Sequence, residues 1–246
     1  MYDIGKIYQA KSISDAIDAL LADPKAIIIS GGSDVLIKIR EGKLAGCSLV
    51  SIHGIKELEG IYLEQDGTIV IKPGTSFSHD QVGGPQIRNI GTIGGNICNG
   101  VTSADSASTL FALNAVVEIT GKAGKRTLPI ADFYKSAGKV NLEHGELVTA
   151  IYISKDNYEG FGGHYIKYAQ RNAMDIATLG VAVLCKVKGQ KITPELFEQV
   201  GKTAITEVNP RTSWRASKEF RLQLVEELSK RALKQAIVFA GGAIYE

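Results

Sequence analysis

Ile29-Ser30-Gly31-Gly32-Ser33-Asp34 and Gly91-Thr92-Ile93-Gly94-Gly95-Asn96 are the stretches from which this chain is best read. Each carries a Gly-Gly pair beside a small hydroxyl residue and leaves an apolar stretch. Glycine lacks a Cβ, so the chain can turn with positive φ and a ligand can approach the backbone closely. Successive N–H groups in such a turn form an anion-binding concavity. One Gly-Gly pair is also a plain turn signal. Two of similar chemistry point to two loops that face one ligand, with a diphosphate as the candidate.

Composition narrows the class. A chain of 246 residues, 44% hydrophobic and 22% charged, is expected to be globular, as one large domain or two to three subdomains. A net charge of +2 is too small to argue for nucleic acid or a membrane surface. No apolar run has the length of a membrane span, and Met1-Tyr2-Asp3-Ile4-Gly5-Lys6 lacks the pattern of a signal peptide. Cys47, Cys98 and Cys185 lie far apart with no CxxC pair, so no metal or iron–sulfur site is expected in the chain. An odd, scattered set of cysteines fits a reducing compartment, and a cytoplasmic protein is expected.

Outward from the first glycine stretch, Ala26 to Ile29 reads as a buried strand that enters the turn, and Asp34 starts a helix over Val35 to Arg40. Ser48 to Ile52 returns as a strand, which makes a βαβ-like unit. A Rossmann unit would need Gly-x-Gly-x-x-Gly and a later acidic residue, and neither is present. Upstream, Ser12 to Ala22 reads as a helix capped by Ser12 and stopped by Asp23-Pro24. Ile61 to Glu64 and Ile69 to Lys72 form a hairpin around Asp66-Gly67. Ser106 to Leu113 reads as a helix, Val116 to Thr120 as a strand, Gly121 to Lys125 as a turn, Ile130 to Phe133 as a helical turn and Leu147 to Ile153 as a strand. After Gly160 come strands at His164 to Arg171 and Gly180 to Val187, then helices from Pro194 to Glu207 and Ser217 to Ala240. The last helix repeats Phe220, Leu224, Leu228, Ala232, Ala236 and Ala240 at helical spacing.

Four stretches carry a resemblance. They are Ser30 to Leu36, Gly84-Pro85-Gln86-Ile87-Arg88-Asn89 through Ser106, Lys167-Tyr168 with Arg171 and Met174-Asp175-Ile176, and Pro210 to Arg221. Together they resemble the FAD-binding subunit of molybdenum hydroxylases, most nearly that of bacterial xanthine dehydrogenases. The resemblance implies an α+β chain with the two-lobed FAD-binding fold of the vanillyl-alcohol-oxidase and CO-dehydrogenase flavoprotein type. It implies FAD-binding lobes at 1–52 and 53–155 and a C-terminal α+β domain at 156–246. Family members are longer at two places, so residues are expected to be missing at Asp80–Gln81 and Gln190–Lys191.

The resemblance also implies the chemistry. An oxidoreductase subunit would hold FAD, take electrons from [2Fe-2S] clusters on an iron–sulfur subunit and pass them to NAD, while a molybdopterin-binding subunit hydroxylates a purine. A nicotinate- or CO-type hydroxylase and a self-contained flavin reductase of the same fold are the alternatives. The implied FAD contacts are Ile28, Ile29, Ser30, Gly31, Gly32, Ser33, Asp34 and Val35, then Gly91, Thr92, Gly95, Asn96, Cys98 and Asn99, with Asp105, Val148 and Lys167. No side chain reads as an acid, base or nucleophile.

Each residue also has a plainer role. The glycines also read as turns, Asp34 and Asp105 as helix caps, Val148 as core and Asn96 as a turn residue. Lys167 reads either as a solvated edge lysine or as a charge beside the flavin, where it would raise the potential. Arg171 and Asp175 form either a surface ion pair or a loop near the open flavin face. Neither glycine stretch contains Lys or Arg, so backbone dipoles are expected to meet the diphosphate charge. Trp214, the sole tryptophan, reads as a packing or interface anchor inside the basic cluster Arg211, Arg215, Lys218 and Arg221.

Overall fold

The structure, a computed structural model, describes residues 2–77, 82–172, 174–189 and 192–243. In chain order the elements begin β1 (Ile4–Gln9), α1 (Ile13–Ala22), β2 (Ala26–Ile29), α2 (Val35–Arg40) and β3 (Cys47–Ser51). They continue β4 (Ile61–Leu63), β5 (Ile69–Ile71), α3 (Pro85–Ile90), α4 (Ile93–Cys98), α5 (Asp105–Ala112), β6 (Val116–Gly121) and β7 (Gly124–Pro129). Then come α6 (Ile130–Phe133), β8 (Tyr134–Ser136), β9 (Lys139–Val140), β10 (Leu147–Ile153), β11 (Gly162–Tyr168), β12 (Leu179–Cys185), α7 (Pro194–Thr206) and α8 (Lys218–Phe239). They divide into two compact units. One is Met1–Ala104 with Asn114–Ser154, and the other is Asp105–Leu113 with Lys155–Glu246.

In the first unit, β1, β3 and β2 form a parallel sheet in that order. Helix α1 starts where expected. The Ser12 hydroxyl accepts from Asp15 N at 3.1 Å, and the Asp15 carboxylate accepts from Lys11 N at 2.8 Å and the Tyr8 hydroxyl at 2.7 Å. These bonds satisfy donors that a helix start leaves open. Ala16, Ile17 and Leu20 of α1 pack with Ala26, Val50, Ile55, Leu58 and Leu147 into one apolar core. A second sheet runs β4-β5-β10-β6-β7, with every pairing antiparallel. Its first hairpin turns at Asp66-Gly67, where the Asp66 carboxylate accepts from Thr68 N at 2.8 Å.

Four strands appear that sequence patterning does not show: β1, β7 and the short antiparallel pair β8 and β9. β1 is almost wholly exposed at a sheet edge, and β7 follows a tighter turn than the expected Gly121 to Lys125. The second glycine stretch, expected as a loop, is corrected too: it forms α4 and is preceded by α3. Glycine disfavours helix, but Thr92 caps this one by accepting from Gly95 N at 3.2 Å. Gly94 also lies so close to Pro73 that a Cβ there would overlap its ring.

In the second unit, β11 and β12 form an antiparallel pair over their full length. Gly162 sits against α8, where a Cβ would overlap the carbonyl oxygen of Ala236. The buried face of α8 runs from Leu224 through Leu228, Ala232 and Ala236 to Ile237. Phe220, expected on that face, is exposed and meets the Tyr168 ring edge-on at 6.2 Å. Trp214 is 81% exposed, which corrects the expectation of a packing role inside the chain. The junctions Asp80–Gln81 and Gln190–Lys191, where missing residues are expected, lie outside the described residues.

Candidate cofactor site

A cleft of about 330 Å3 lies in the first unit, within the size range of small-molecule sites. It is lined by Ile28, by Ser30 through Val35, and by Lys38 and Ile52. Opposite stretches contribute Pro73, Phe77, Val82 and Ile87, then Gly91, Thr92, Gly94, Gly95, Asn96, Cys98 and Asn99. Leu142, Glu146, Leu147 and Val148 complete it. Both glycine stretches therefore meet at one cavity, but they do so by different means.

The first stretch is a turn with open donors. Gly32 has φ of +75°, a conformation that glycine adopts without penalty. Among the described residues, the amides of Gly31, Gly32, Ser33 and Asp34 donate no hydrogen bond. Unsatisfied successive donors beside a cleft are the physical requirement for holding an anion through the backbone. Gly31 has a further reason to lack a side chain, because a Cβ would overlap the Ile90 carbonyl oxygen. That contact brings the two stretches together, and the Thr92 hydroxyl reaches Ser30 Oγ at 3.4 Å.

The second stretch has its amides occupied. Gly91 N donates to Ile87 O, Ile93 N to Thr75 O, Gly94 N to Pro73 O and Asn96 N to Thr92 O. What α4 offers the cleft is a smooth wall. A Cβ on Gly95 would touch nothing nearer than Thr92 Oγ1 at 3.1 Å.

Charge enters from a residue that the sequence reading missed. Lys38 lines the cleft, and its ammonium donates to Asn99 Oδ1 at 2.5 Å. The cleft thus holds a side-chain cation as well as the backbone dipoles expected there. Lys38 follows Asp34 by four residues, so helical spacing on α2 puts it on the side of the turn, and that spacing was the available signal. Glu146 also lines the cleft, but its charge is gripped by Arg126 through two bonds of 2.8 and 2.7 Å. The Arg126 guanidinium holds this carboxyl below the usual carboxylate range. Burial pushes the Cys98 thiol up to about 12, so it stays neutral and adds apolar surface.

Three expected contacts, Ile29, Asp105 and Lys167, are not among the residues that line this cleft. Ile29 is absent from the lining and packs on the cluster of Ile39, Cys47 and Leu49. The Asp34 side chain makes no capping bond to α2, so its reading as a side-chain cap is corrected. Asp105 and Lys167 belong to the second unit, where they form an ion pair at 2.8 Å with side chains 10% and 8% exposed. The Tyr165 hydroxyl also donates to Asp105 Oδ1 at 3.1 Å. Tyr165 and Lys167 are two residues apart on β11, so they share a face of the strand. Lys167 is thus no solvated edge lysine. Arg171 and Asp175 do pair, at 3.3 Å, with the Asp175 carboxylate also accepting from Arg171 N and Ile176 N.

Comparison with known proteins bears on the whole chain. A family model described as the FAD binding domain in molybdopterin dehydrogenase matches residues 2–155. One described as the CO dehydrogenase flavoprotein C-terminal domain matches residues 186–236. The xanthine dehydrogenase FAD-binding subunit of Escherichia coli O157:H7 is 34% identical over 291 residues, covering 99% of this chain and 100% of that one. The carbon monoxide dehydrogenase medium chain of Afipia carboxidovorans is 30% identical over 253 residues, covering 95% and 84%. Among solved structures, a chain of the carbon monoxide dehydrogenase of Hydrogenophaga pseudoflava gives a TM-score of 0.91 at 23% identity, covering 97% and 99%. The expected CO-dehydrogenase flavoprotein fold is the one found.

Proposed function

We propose that this chain, which belongs to the family of FAD-binding domains of molybdopterin dehydrogenases, is the electron-transfer subunit of a cytoplasmic xanthine dehydrogenase-type hydroxylase. It would take electrons from [2Fe-2S] clusters on an iron–sulfur subunit, with a purine hydroxylated on a molybdopterin-binding subunit, and pass them to NAD. Bound FAD supplies the redox chemistry, and the protein supplies binding, orientation and electrostatics. One observation carries the reading: four open amides over Gly31–Asp34 share a cleft with the Lys38 ammonium.

The residues fit the group. The open amides and the hydroxyls of Ser30, Ser33 and Thr92 would hold diphosphate oxygens, and Lys38 would offset their charge. Gly31, Gly32, Gly91 and Gly95 let the chain come close, while Ile28, Val35 and Val148 give apolar contact. Ile29 would contribute through its backbone, with Asp34, Asn96, Cys98 and Asn99 around the same cleft. Asp105 and Lys167 are assigned to the flavin and ribityl portion. The lobes are assigned to 1–52 and 53–155, and the C-terminal domain to 156–246.

Lys38→Ala is expected to weaken FAD binding roughly ten- to hundredfold, the loss of a hydrogen bond to a charged group, with the fold unchanged by circular dichroism. Titration of the apoprotein with FAD checks this. An unchanged Kd would remove Lys38 from the site. The likeness to the CO dehydrogenase medium chain supports a second reading, in which the partner hydroxylates a different substrate. Anaerobic mixing of the purified complex with xanthine, nicotinate or CO separates the two. Flavin bleaching and NADH formation with xanthine are expected, and bleaching by another substrate alone would assign the second reading.

A further inference from the structure

The stretch Pro210 to Arg221 carries chemistry that FAD binding does not use. Ser213 and Ala216 exchange both backbone bonds, at 3.0 and 3.2 Å, so Trp214 and Arg215 form the tip of a two-residue turn. Trp214 is exposed, and the Arg215 guanidinium stacks 4.6 Å from its ring centre. The tip is braced from α8. Arg221 Nη2 donates to Ser213 Oγ at 2.8 Å, Lys218 N donates to Thr212 Oγ1 at 3.0 Å, and Lys218 Nζ donates to Asn209 Oδ1 at 2.9 Å.

Among the described residues its basic side chains form no ion pair. Arg211, Arg215, Lys218 and Arg221 stand against the single carboxylate Glu219 in a chain whose net charge is only +2. The arginine–carboxylate pairs among the described residues of this unit are made by Arg171 and Arg231 instead. Loss of water and then the charges of Arg211 and Arg215 hold the Arg221 guanidinium below its ordinary range. Its Nε is buried and has no partner among the described residues. Like charges crowded without counter-ions are costly unless an anionic surface covers them.

We propose that the Trp214–Arg215 tip is a docking knob that seats in an acidic pocket on a partner protein subunit. A projecting tryptophan does not suit a small ligand, which needs a concave site. Trp and Arg are the residues that dominate protein–protein binding energy. A nucleic acid would need a longer basic track than this one turn. The inference rests on the multi-subunit reading above.

Trp214 is the only tryptophan, so a chain labelled with fluorotryptophan gives one fluorine resonance. The full FAD-loaded chain is mixed with its unlabelled iron–sulfur and molybdopterin subunits, and assembly is followed by gel filtration. Assembly should move that resonance, and Trp214→Ala or Arg215→Glu should weaken assembly at least tenfold while flavin content stays unchanged. Assembly with an unmoved resonance and undiminished affinity in both variants would overturn the knob alone. A wild-type chain that assembles with neither subunit would overturn the multi-subunit reading and the knob with it. A resonance that moves with inorganic pyrophosphate or duplex DNA, and not with the subunits, would overturn the assignment to a protein partner.

Discussion

Gly95→Val should give a folded chain that has lost FAD. Gly95 lies in α4, where valine is a better helix former than glycine by a few tenths of a kcal/mol. The added Cβ meets only the Thr92 hydroxyl, so folding should survive with a small adjustment. The branched side chain must then occupy the cleft that Gly95 lines. We expect FAD affinity to fall more than about a hundredfold, as for overfilling a packed site by a few kcal/mol. Gly32→Val should lose FAD as well, but its φ of +75° makes valine strained there, so stability falls too. Gly31→Val is a different case. It would drive the first glycine turn away from the Ile90 carbonyl and disrupt the site from within. The flavin-to-protein ratio, read beside a thermal melt, distinguishes these cases. A Gly95→Val chain with full flavin would show that α4 only supports the fold.

Lys167→Ala should strongly destabilise the second unit. The Asp105–Lys167 pair is buried, and removal of one partner leaves a carboxylate without its counter-charge. Breaking a buried pair in this way costs about 3–5 kcal/mol. Asp105→Asn combined with Lys167→Met removes both charges and should recover much of that loss, because an apolar replacement is often neutral. The cofactor assignment adds a second consequence. Lys167→Ala should keep FAD, and the stranded Asp105 charge should lower its reduction potential, since negative charge nearby disfavours the reduced flavin. A redox titration of the single variant decides this. A melt that falls while the potential stays fixed would leave the pair with a structural role only.

The sequence was clearest where local signals agreed with tertiary packing. Ala26–Ile29, the following turn and Val35–Arg40 form a partly buried strand, a glycine turn and a helix, and all three are visible in residue pattern. Ser12 is legible as a cap, and it accepts a bond from the third residue of its helix; Ser217, read as the first residue of the last helix, proves to cap it in the same way. β1 and β7 escaped notice because both are exposed edge strands, without an apolar face to set a period of two. α4 escaped because glycine's poor propensity hides it, and its stability comes from the local Thr92 cap together with Gly94 packing on Pro73, a contact distant in sequence. The same limit applied at the site. The Gly-Gly pairs marked the cleft, but the sequence could not show that one stretch leaves its amides open while the other uses them. Lys38 and the burial of Lys167 depend on Asn99 and Asp105, each about sixty residues away in the chain.

The central claim is that the Gly31–Asp34 turn and its cleft hold FAD. Its most direct test is the visible absorption spectrum of the purified chain after incubation with FAD and removal of the free cofactor. A bound flavin at about one per chain, lost in Gly95→Val, is the result predicted here. A colourless wild-type chain that cannot be reconstituted would contradict it.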